Sequence, residues 1–170
     1  MLFPALIIYL YNTENLQRLS FIGYDSQFHL RGETAPNPSL FHIKQDEAST
    51  NFYNNRLSDW PSSYHARLVE KLTSAGADLI VFDYDFSRPT TADEDAAFAG
   101  AIANAGNVIL ANRLLPSGEI AQPIETFSNE SLGEGFFDTI LDKDGYWRRM
   151  IYMNLTRDGY IYFSLPMATV

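Results

Sequence analysis

The 170-residue sequence contains no cysteine, which excludes disulfide bonds, thiolate metal sites and cysteine nucleophiles. Basic residues are scarce: 12 Lys and Arg stand against 21 Asp and Glu, for a formal net charge of −9. Binding to nucleic acid requires clustered basic side chains that contact phosphates, and here Arg148-Arg149 is the only adjacent basic pair. The composition therefore argues against nucleic acid as a partner.

The sequence also has no hydrophobic run long enough to cross a membrane. The apolar segment Met1–Tyr11 has about half of the ~20 residues that a spanning helix needs. No basic flank precedes it and no small-residue cleavage site follows it, so it is a poor signal peptide. Two interpretations stay open: a buried element at the start of the fold, or the outer end of a transmembrane helix. We favour the second because of the resemblance described below.

Several catalytic motifs are missing. No serine stands on a nucleophile-elbow motif, and the glycines stand singly at predicted helix ends and turns instead of forming a phosphate-binding loop. His29, His42 and His65 are 13 and 23 residues apart, whereas zinc sites usually draw two ligands from one short segment. We interpret each histidine as a lone structural or surface residue, and we expect no metal and no cofactor.

The sequence does have the composition of a folded domain, with 46% apolar and 14% aromatic residues. Leu79–Phe82 is an unbroken apolar run, which predicts a strand buried on both faces, as parallel strands usually are. An amphipathic helix, Ala-Gly and an apolar strand follow one another twice, over Leu68–Phe82 and Phe98–Ala111. This repetition predicts parallel strands joined by a right-handed crossover.

Helix boundaries can be predicted from capping residues. Thr91 and Glu94 form a capping box that begins a helix ending near Gly106. The preceding helix begins at Asp59-Trp60-Pro61 and ends before Gly76. Its predicted apolar face consists of Tyr64, Leu68, Leu72 and Ala75. Asn12-Thr13-Glu14 begins an N-terminal helix that runs to about Leu30.

The remaining segments predict strands and turns. Leu40–Lys44 alternates apolar and polar residues and predicts a strand ending at Asp46-Glu47, before an irregular segment Ala48–Ser58. Gly133–Phe137 and Tyr146–Leu155 predict strands around the turn Asp142–Gly145. A second turn, Arg157–Gly159, leads into Tyr160–Phe163, and Pro166–Val170 has the pattern of a first helical turn. The predicted fold is α/β, with a mostly parallel central sheet flanked by helices and an antiparallel C-terminal extension.

Asp83 and Asp85 directly follow the predicted central strand, at the end where open α/β sheets usually keep their sites. An Asp-x-Asp pair in this place is typical of aspartate-based phosphotransferases, in which one carboxylate attacks phosphorus and the other handles a proton beside Mg²⁺. Such an enzyme also needs a lysine and another acidic pair, for which Asp142-Lys143-Asp144 is the candidate set. The alternative, which we favour, is that both carboxylates bond the backbone of the loop Ser87–Thr91.

Five segments carry a pattern that extends over nearly the whole chain. They contain, in order, Asp25, Phe28 and Leu30-Arg31-Gly32; Phe41 to Asp46; Trp60-Pro61, His65-Ala66, Leu68, Leu72, Gly76-Ala77, Ile80, Phe82-Asp83, Phe86 and Pro89; Asp95 to Ala111; and Gly135-Phe136, Asp142, Asp144-Gly145 and Arg148-Arg149. Their order and spacing resemble the CHASE2 domain, the extracytoplasmic sensor module of bacterial membrane receptors. The sequence departs from that family at Phe41–Lys44, which is less apolar, and at Ser62-Ser63-Tyr64, which replaces a second Trp-Pro-Arg element.

The resemblance implies a non-catalytic domain outside the cytoplasmic membrane, after one transmembrane helix and before several. It assigns residues 1–31 to a membrane-proximal helical segment and residues 32–170 to the α/β sensor domain. Met1–Tyr11 would end the first membrane helix, and Pro166–Val170 would begin the helix leading to the next. The implied partners are a small-molecule or protein signal, the receptor's own transmembrane helices, a cytoplasmic cyclase or kinase domain, and a second copy of the chain.

For a sensor, the candidate ligand contacts lie at the predicted strand ends: Asp46, Glu47, Trp60, Asp83 and Asp85. Two other functions remain open. One is a Mg²⁺-dependent phosphatase that uses Asp83 as the nucleophile and Asp85 as the acid/base. The other is a structural domain that dimerises through its N-terminal helix and binds no signal.

Overall fold

A computed structural model of the chain describes residues 14–53, 60–156 and 159–169, which fall into two compact units, residues 1–45 and 46–170. The helices are α1 (Glu14–Arg31), α2 (Glu47–Tyr53), α3 (Ser62–Ser74), α4 (Ala92–Ala105), α5 (Glu125–Ser128) and α6 (Leu165–Ala168). The strands are β1 (Ile80–Phe82), β2 (Val108–Leu114), β3 (Ile120–Ala121), β4 (Gly133–Phe136), β5 (Thr139–Leu141), β6 (Trp147–Met150), β7 (Met153–Leu155) and β8 (Ile161–Phe163).

In the first unit, α1 ends where the sequence predicts. Gly32 adopts a left-handed φ of +73°, and its N–H donates to the Phe28 carbonyl at 3.0 Å, which closes the last turn. None of the described helices is both long enough and apolar enough to cross a membrane. The interpretation of Met1–Tyr11 lies outside the described residues.

The predicted strand Leu40–Lys44 is wrong. Residues 40–46 form no strand, and the side chains of Leu40 and Phe41 are 74% and 83% exposed. Apolar alternation produces a strand only where a neighbouring strand supplies hydrogen bonds and a core covers one face. The irregular segment predicted from Ala48 is also wrong as far as residue 53, because these residues belong to α2.

The central sheet is built around β2. Strand β1 pairs with β2 in parallel, from Ile80 opposite Val108 to Phe82 opposite Leu110. Strand β4 pairs with β2 in parallel on its other edge, and β3 is antiparallel to the end of β2. The two small antiparallel sheets, β5–β6 and β7–β8, follow towards the C-terminus. The predicted fold class, a mostly parallel sheet with helices and an antiparallel extension, is therefore confirmed.

The main core lies between one face of this sheet and helices α3 and α4. Its fully buried large side chains come from both helices, from β2 and from α5. They are Val69, Phe98, Ile102, Val108, Leu110 and Phe127. The caps that position these helices match the sequence: Gly76 and Gly106 have φ of +82° and +67°, and the Thr91 hydroxyl accepts the Glu94 N–H at 3.4 Å.

The other face of the sheet is covered unevenly. On β2, Ile109 and Ala111 pack against Leu165 of α6, so this strand is buried on both faces as predicted for the parallel strands. On β1, Ile80 and Phe82 are buried, but Val81 between them is 42% exposed. The prediction that Leu79–Phe82 is buried on both faces is therefore wrong for β1, because the described chain covers only one of its faces.

The C-terminal strands have other partners than those predicted. The turn at Asp142–Gly145 joins β5 to β6, whereas Gly133–Phe136 enters the parallel sheet as β4. The segment Tyr146–Leu155 contains two strands, β6 and β7, and β7 pairs with β8 around the second predicted turn. Of that turn, Arg157 and Asp158 lie outside the described residues, and Gly159 has a φ of +86°.

An ion cluster holds the hairpin β5–β6. The fully buried carboxylate of Asp142 accepts Arg148 Nη1 at 3.1 Å and bonds the guanidinium of Arg149. Arg148 also reaches Asp144 through Nη2 at 2.9 Å, and this hydrogen bond lowers the pKa of the Asp144 carboxyl. A buried carboxylate is stable only when it is paired in this way. These residues, which carry the last segment of the resemblance, therefore have a structural role here.

Candidate functional site

A cleft of about 380 Å³ opens at the carboxyl end of β1, between the start of α3 and the loop that follows the strand. Its lining consists of Trp60, Ser62, His65, Tyr84, Asp85, Phe86, Arg88, Pro89 and Thr90. The volume is within the range of roughly 300–1,000 Å³ that small-molecule sites occupy. The position is also where open α/β sheets usually bind their ligands.

The loop that forms one wall is fixed by its own side chains. Phe86 is buried in the core, and its carbonyl accepts the N–H of Ile124 at 3.0 Å. Asp85 Oδ1 accepts the backbone N–H of Ser87 at 3.0 Å and the Ser87 hydroxyl at 2.6 Å. Asp85 Oδ2 also lies 3.4 Å from Nε of Arg113 at the end of β2. Asp85 therefore ties the loop after β1 to the neighbouring strand.

These contacts set the charge of Asp85. Partial burial by itself would raise the pKa of this carboxyl. The two hydrogen bonds from Ser87 and the positive charges of Arg113 and Arg88 outweigh burial, and they hold the pKa below its ordinary value of 3.8. Asp85 is thus ionised at any pH at which the protein is expected to work.

The opposite wall is the point where the first turns of α3 and α4 meet. Asp95 of α4 is buried and accepts the Ser62 hydroxyl at 2.8 Å, together with the Thr90 N–H at 3.0 Å and hydroxyl at 2.6 Å. Glu94 Oε2 accepts the N–H of Ser63 at 2.7 Å and so caps α3, whose N-cap residue Pro61 has no side-chain acceptor. Two carboxylates of α4 therefore hold the cleft wall in place.

His65 of α3 lies at the inner end of the cleft and is 3% exposed. Five aromatic rings surround it, with centroids between 4.8 and 6.4 Å from the imidazole: Trp60, Phe82, Tyr84, Phe86 and Phe98. Burial among these rings lowers the pKa of His65 to about 4, so the imidazole is neutral above that pH. Of the two interpretations of His65, structural or surface residue, the structure supports the first, and it adds a surrounding aromatic cluster that the sequence did not predict.

The five predicted contact residues do not form one constellation. Trp60 and Asp85 both line the cleft, whereas Asp46, Glu47 and Asp83 are absent from its described lining. Asp83 is exposed. Asp46 Oδ1 accepts the Ser49 N–H at 2.9 Å and caps α2, of which Glu47 is the first residue. The strand that was predicted to bring Asp46 and Glu47 to the sheet edge does not form.

Of the nine lining residues, sequence reasoning named Trp60 and Asp85 as candidate contacts and left out the other seven. It also left out Asp95, which holds the cleft wall from behind. A signal existed for His65, because Val69 and Leu72 follow it at helical spacing and place it on an apolar face. For Asp95 no such signal existed, because the Ser62 hydroxyl that it accepts belongs to another helix. No local pattern predicts such a bond.

The two carboxylates after β1 can be told apart experimentally. Asp85→Asn is expected to lower the free energy of unfolding at neutral pH, because an ionised acceptor makes stronger hydrogen bonds than an amide. The pKa of the Asp85 carboxyl is lower in the folded state than its ordinary value of 3.8. The ionised carboxylate therefore stabilises the folded state fully above pH 3.8, and this stabilisation is lost as the pH falls through the pKa of the folded state. Urea unfolding at pH 7 and at progressively lower pH should show wild type and variant converging.

The matched control is Asp83→Asn, two residues earlier and exposed, which should change stability little at either pH. A stabilised Asp85→Asn variant would contradict this assignment. It would indicate that the carboxylate is reserved for a cation or a basic ligand, and the variant should then also lose any melting shift produced by Mg²⁺ or Ca²⁺.

The sequence profile of the CHASE2 domain matches residues 2–170 of the chain. Searches of curated proteins and of solved structures give no significant match. CHASE2 domains are extracytoplasmic sensor domains of membrane receptors that carry cytoplasmic output domains. The match extends over both units and over every residue of the cleft, and the chain therefore belongs to the CHASE2 domain family.

Proposed function

We propose that this domain is the ligand-binding part of a receptor in the cell membrane and that its signal enters the cleft beside β1. The observation that carries the proposal is the cleft itself: an aromatic cavity at the usual ligand position of an α/β sheet, with Trp60 and Asp85 in its lining. The domain has no catalytic role in this proposal. Its output is a conformational change that reaches a cytoplasmic cyclase or kinase domain.

The sheet offers a route for that change. Residues Val108 and Leu110 of β2 face the core beside the cleft, and Ile109 and Ala111 of the same strand face α6. A ligand that binds one arrangement of the loop after β1 more tightly shifts the population towards it. A shift of β1 relative to β2 then changes the support of α6, and in this proposal α6 passes the change on towards the membrane helices of the receptor.

The receptor is proposed to work as a homodimer. The hairpin β7–β8 exposes four large apolar side chains on one face, because Met153 lies opposite Phe163 and Leu155 lies opposite Ile161. Exposed apolar faces of this kind often mark interaction surfaces. Here a second copy of the domain would cover it.

The absence of cysteine from the domain allows a direct test of its location. Ser117→Cys introduces one thiol in the exposed turn between β2 and β3 of the full-length receptor. In a receptor whose cysteines outside this domain have been replaced, a maleimide that cannot cross the cytoplasmic membrane is expected to label this variant and to leave the unsubstituted receptor at background. Labelling that requires the cytoplasmic membrane itself to be permeabilised would contradict an extracytoplasmic location.

A further inference from the structure

The cleft beside β1 has one cationic side chain in its described lining, that of Arg88. This side chain is exposed, and within the described part of the chain it makes no hydrogen bond and no ion pair. A guanidinium carries five N–H donors and can bind a planar carboxylate through two of them at once. Arg88 is therefore an accessible cation at the cleft, and its donors are open to a ligand.

The backbone on both sides of Arg88 is held in place. Ser87 donates its N–H and its hydroxyl to Asp85. Thr90 donates its N–H and its hydroxyl to Asp95. The cleft thus presents the Arg88 side chain from a loop that is anchored at both ends, and such an anchor reduces the entropic cost of binding a ligand.

The carboxylates around the cleft leave Arg88 without a contacting counter-ion. Asp85 accepts two hydrogen bonds through Oδ1, and its Oδ2 lies 3.4 Å from Nε of Arg113. Asp95 and Glu94 accept hydrogen bonds from other residues of the cleft wall. Arg88 attracts Asp85 only at longer range. An anionic ligand would supply the ion pair that the described chain does not provide.

An accessible apolar surface lies in the same cleft. The ring of Tyr84 packs against those of His65 and Phe86, each with its centroid 4.8 Å away, and Tyr84 is only half-buried. Pro89 is exposed, and both residues line the cleft together with Trp60. Flat rings pack well against aromatic side chains. The cleft therefore favours a ligand that has a flat apolar part beside its anionic group.

We propose that the cleft binds a small aromatic carboxylate, with the carboxylate on the guanidinium of Arg88 and the ring against Tyr84 and Pro89. The cavity of about 380 Å³ has room for a single ring with a short acidic substituent. Charge-assisted hydrogen bonds favour the anion over a neutral molecule of the same shape. This inference rests on the proposed function and adds the chemical class of the ligand.

Benzoate and benzamide are the matched probes, because they have nearly the same shape and differ in charge. Trp60 lines the cleft and reports binding by its fluorescence in a Trp147→Phe background, in which it is the only tryptophan of the chain. At pH 7 the Kd of benzoate is expected to be about tenfold lower than that of benzamide, the effect of one hydrogen bond to a charged group. Equal Kd values, or Trp60 emission that millimolar benzoate leaves unchanged, would overturn the proposal.

Arg88→Gln removes the charge and should abolish the preference for benzoate over benzamide. Because Arg88 is exposed, the variant should unfold in urea nearly as the parent chain does. The control Arg67→Gln removes an exposed arginine of α3 that is absent from the described lining, and it should keep the preference. Loss of the preference in both variants would indicate an effect of net charge alone and would overturn the assignment to Arg88.

Acetate and benzamidine are the remaining probes. Acetate has the carboxylate without the ring, so a Kd as low as that of benzoate would overturn the aromatic part of the proposal. Benzamidine is the cation of similar shape, and if it binds more tightly than benzoate, the proposed ligand class is wrong and the cleft remains a binding site. That outcome leaves the receptor function intact, because the location of the domain is measured separately by labelling of Ser117→Cys.

Discussion

Ile80→Ala is expected to lower the free energy of unfolding by about 2–5 kcal/mol, the usual cost of removing a buried aliphatic side chain from a core. Ile80 is 4% exposed and belongs to the cluster that joins β1 to helices α3 and α4. Its neighbours in that cluster include Phe82 and Phe98, large rings that cannot move far to fill the space left behind. Urea unfolding of the wild-type chain and the variant measures the difference.

Val81→Ala is the matched control for Ile80→Ala. Both changes shorten a β-branched residue in the same strand, but Val81 is 42% exposed and faces away from the main core. We expect its substitution to cost clearly less than that of Ile80. Equal losses would contradict the one-sided burial of β1 and would indicate that another surface covers Val81 in solution.

The local features of the fold could be predicted from the sequence because they depend on neighbouring residues. Capping by Thr91 and Glu94, and helix ends at Gly76 and Gly106, each involve a few consecutive positions, and all three are confirmed. The fold class followed from two such helix–strand units. Parallel strands need a crossover of this kind. The parallel pairing of β1 with β2 confirms the prediction.

Pairing between distant strands could not be predicted in the same way. Gly133–Phe136 has strand character, but nothing in its own sequence selects β2 as its partner in preference to the nearer hairpin. Leu40–Lys44 has the alternation of a strand and forms none. In both cases the outcome depends on which edge of the sheet is available, which is a property of the assembled fold.

The same distinction applies to the cleft. Trp60 and Asp85 were predicted from their places at a helix start and a strand end, and the structure brings both to one cavity. For α3, Leu68 and Leu72 of the predicted apolar face pack against the core, whereas Ala75 is exposed. The fully buried residues lie to one side of that face: Ser62, His65, Ala66 and Val69. This rotation of the helix brings His65 to the inner end of the cleft.

Gly135→Ala is expected to lower the free energy of unfolding by about 3 kcal/mol or more, which is the upper end of the usual cost of overpacking a core. A Cβ atom at Gly135 would lie 2.6 Å from Cα and 2.7 Å from N of Leu165, at the start of α6. These are backbone atoms, so no side-chain rotation relieves the overlap. Either α6 moves away and exposes Leu165, or the pairing of β4 with β2 at Ala111 is distorted.

Gly133→Ala is the control in the same strand, because here alanine is expected not to lower stability. A Cβ at Gly133 meets no atom within 4 Å, and its φ lies outside the left-handed region. Alanine there should leave stability unchanged or raise it by up to about 1 kcal/mol, because it restricts the unfolded chain. Urea unfolding of both variants measures the two changes in stability. A similar effect for the two would show that α6 does not rest on the sheet at Gly135.

The response of the receptor to its ligand is a second measurement on Gly135→Ala. If α6 rests on the sheet, the variant displaces this helix and should alter the response, and if it does not, the response should stay unchanged.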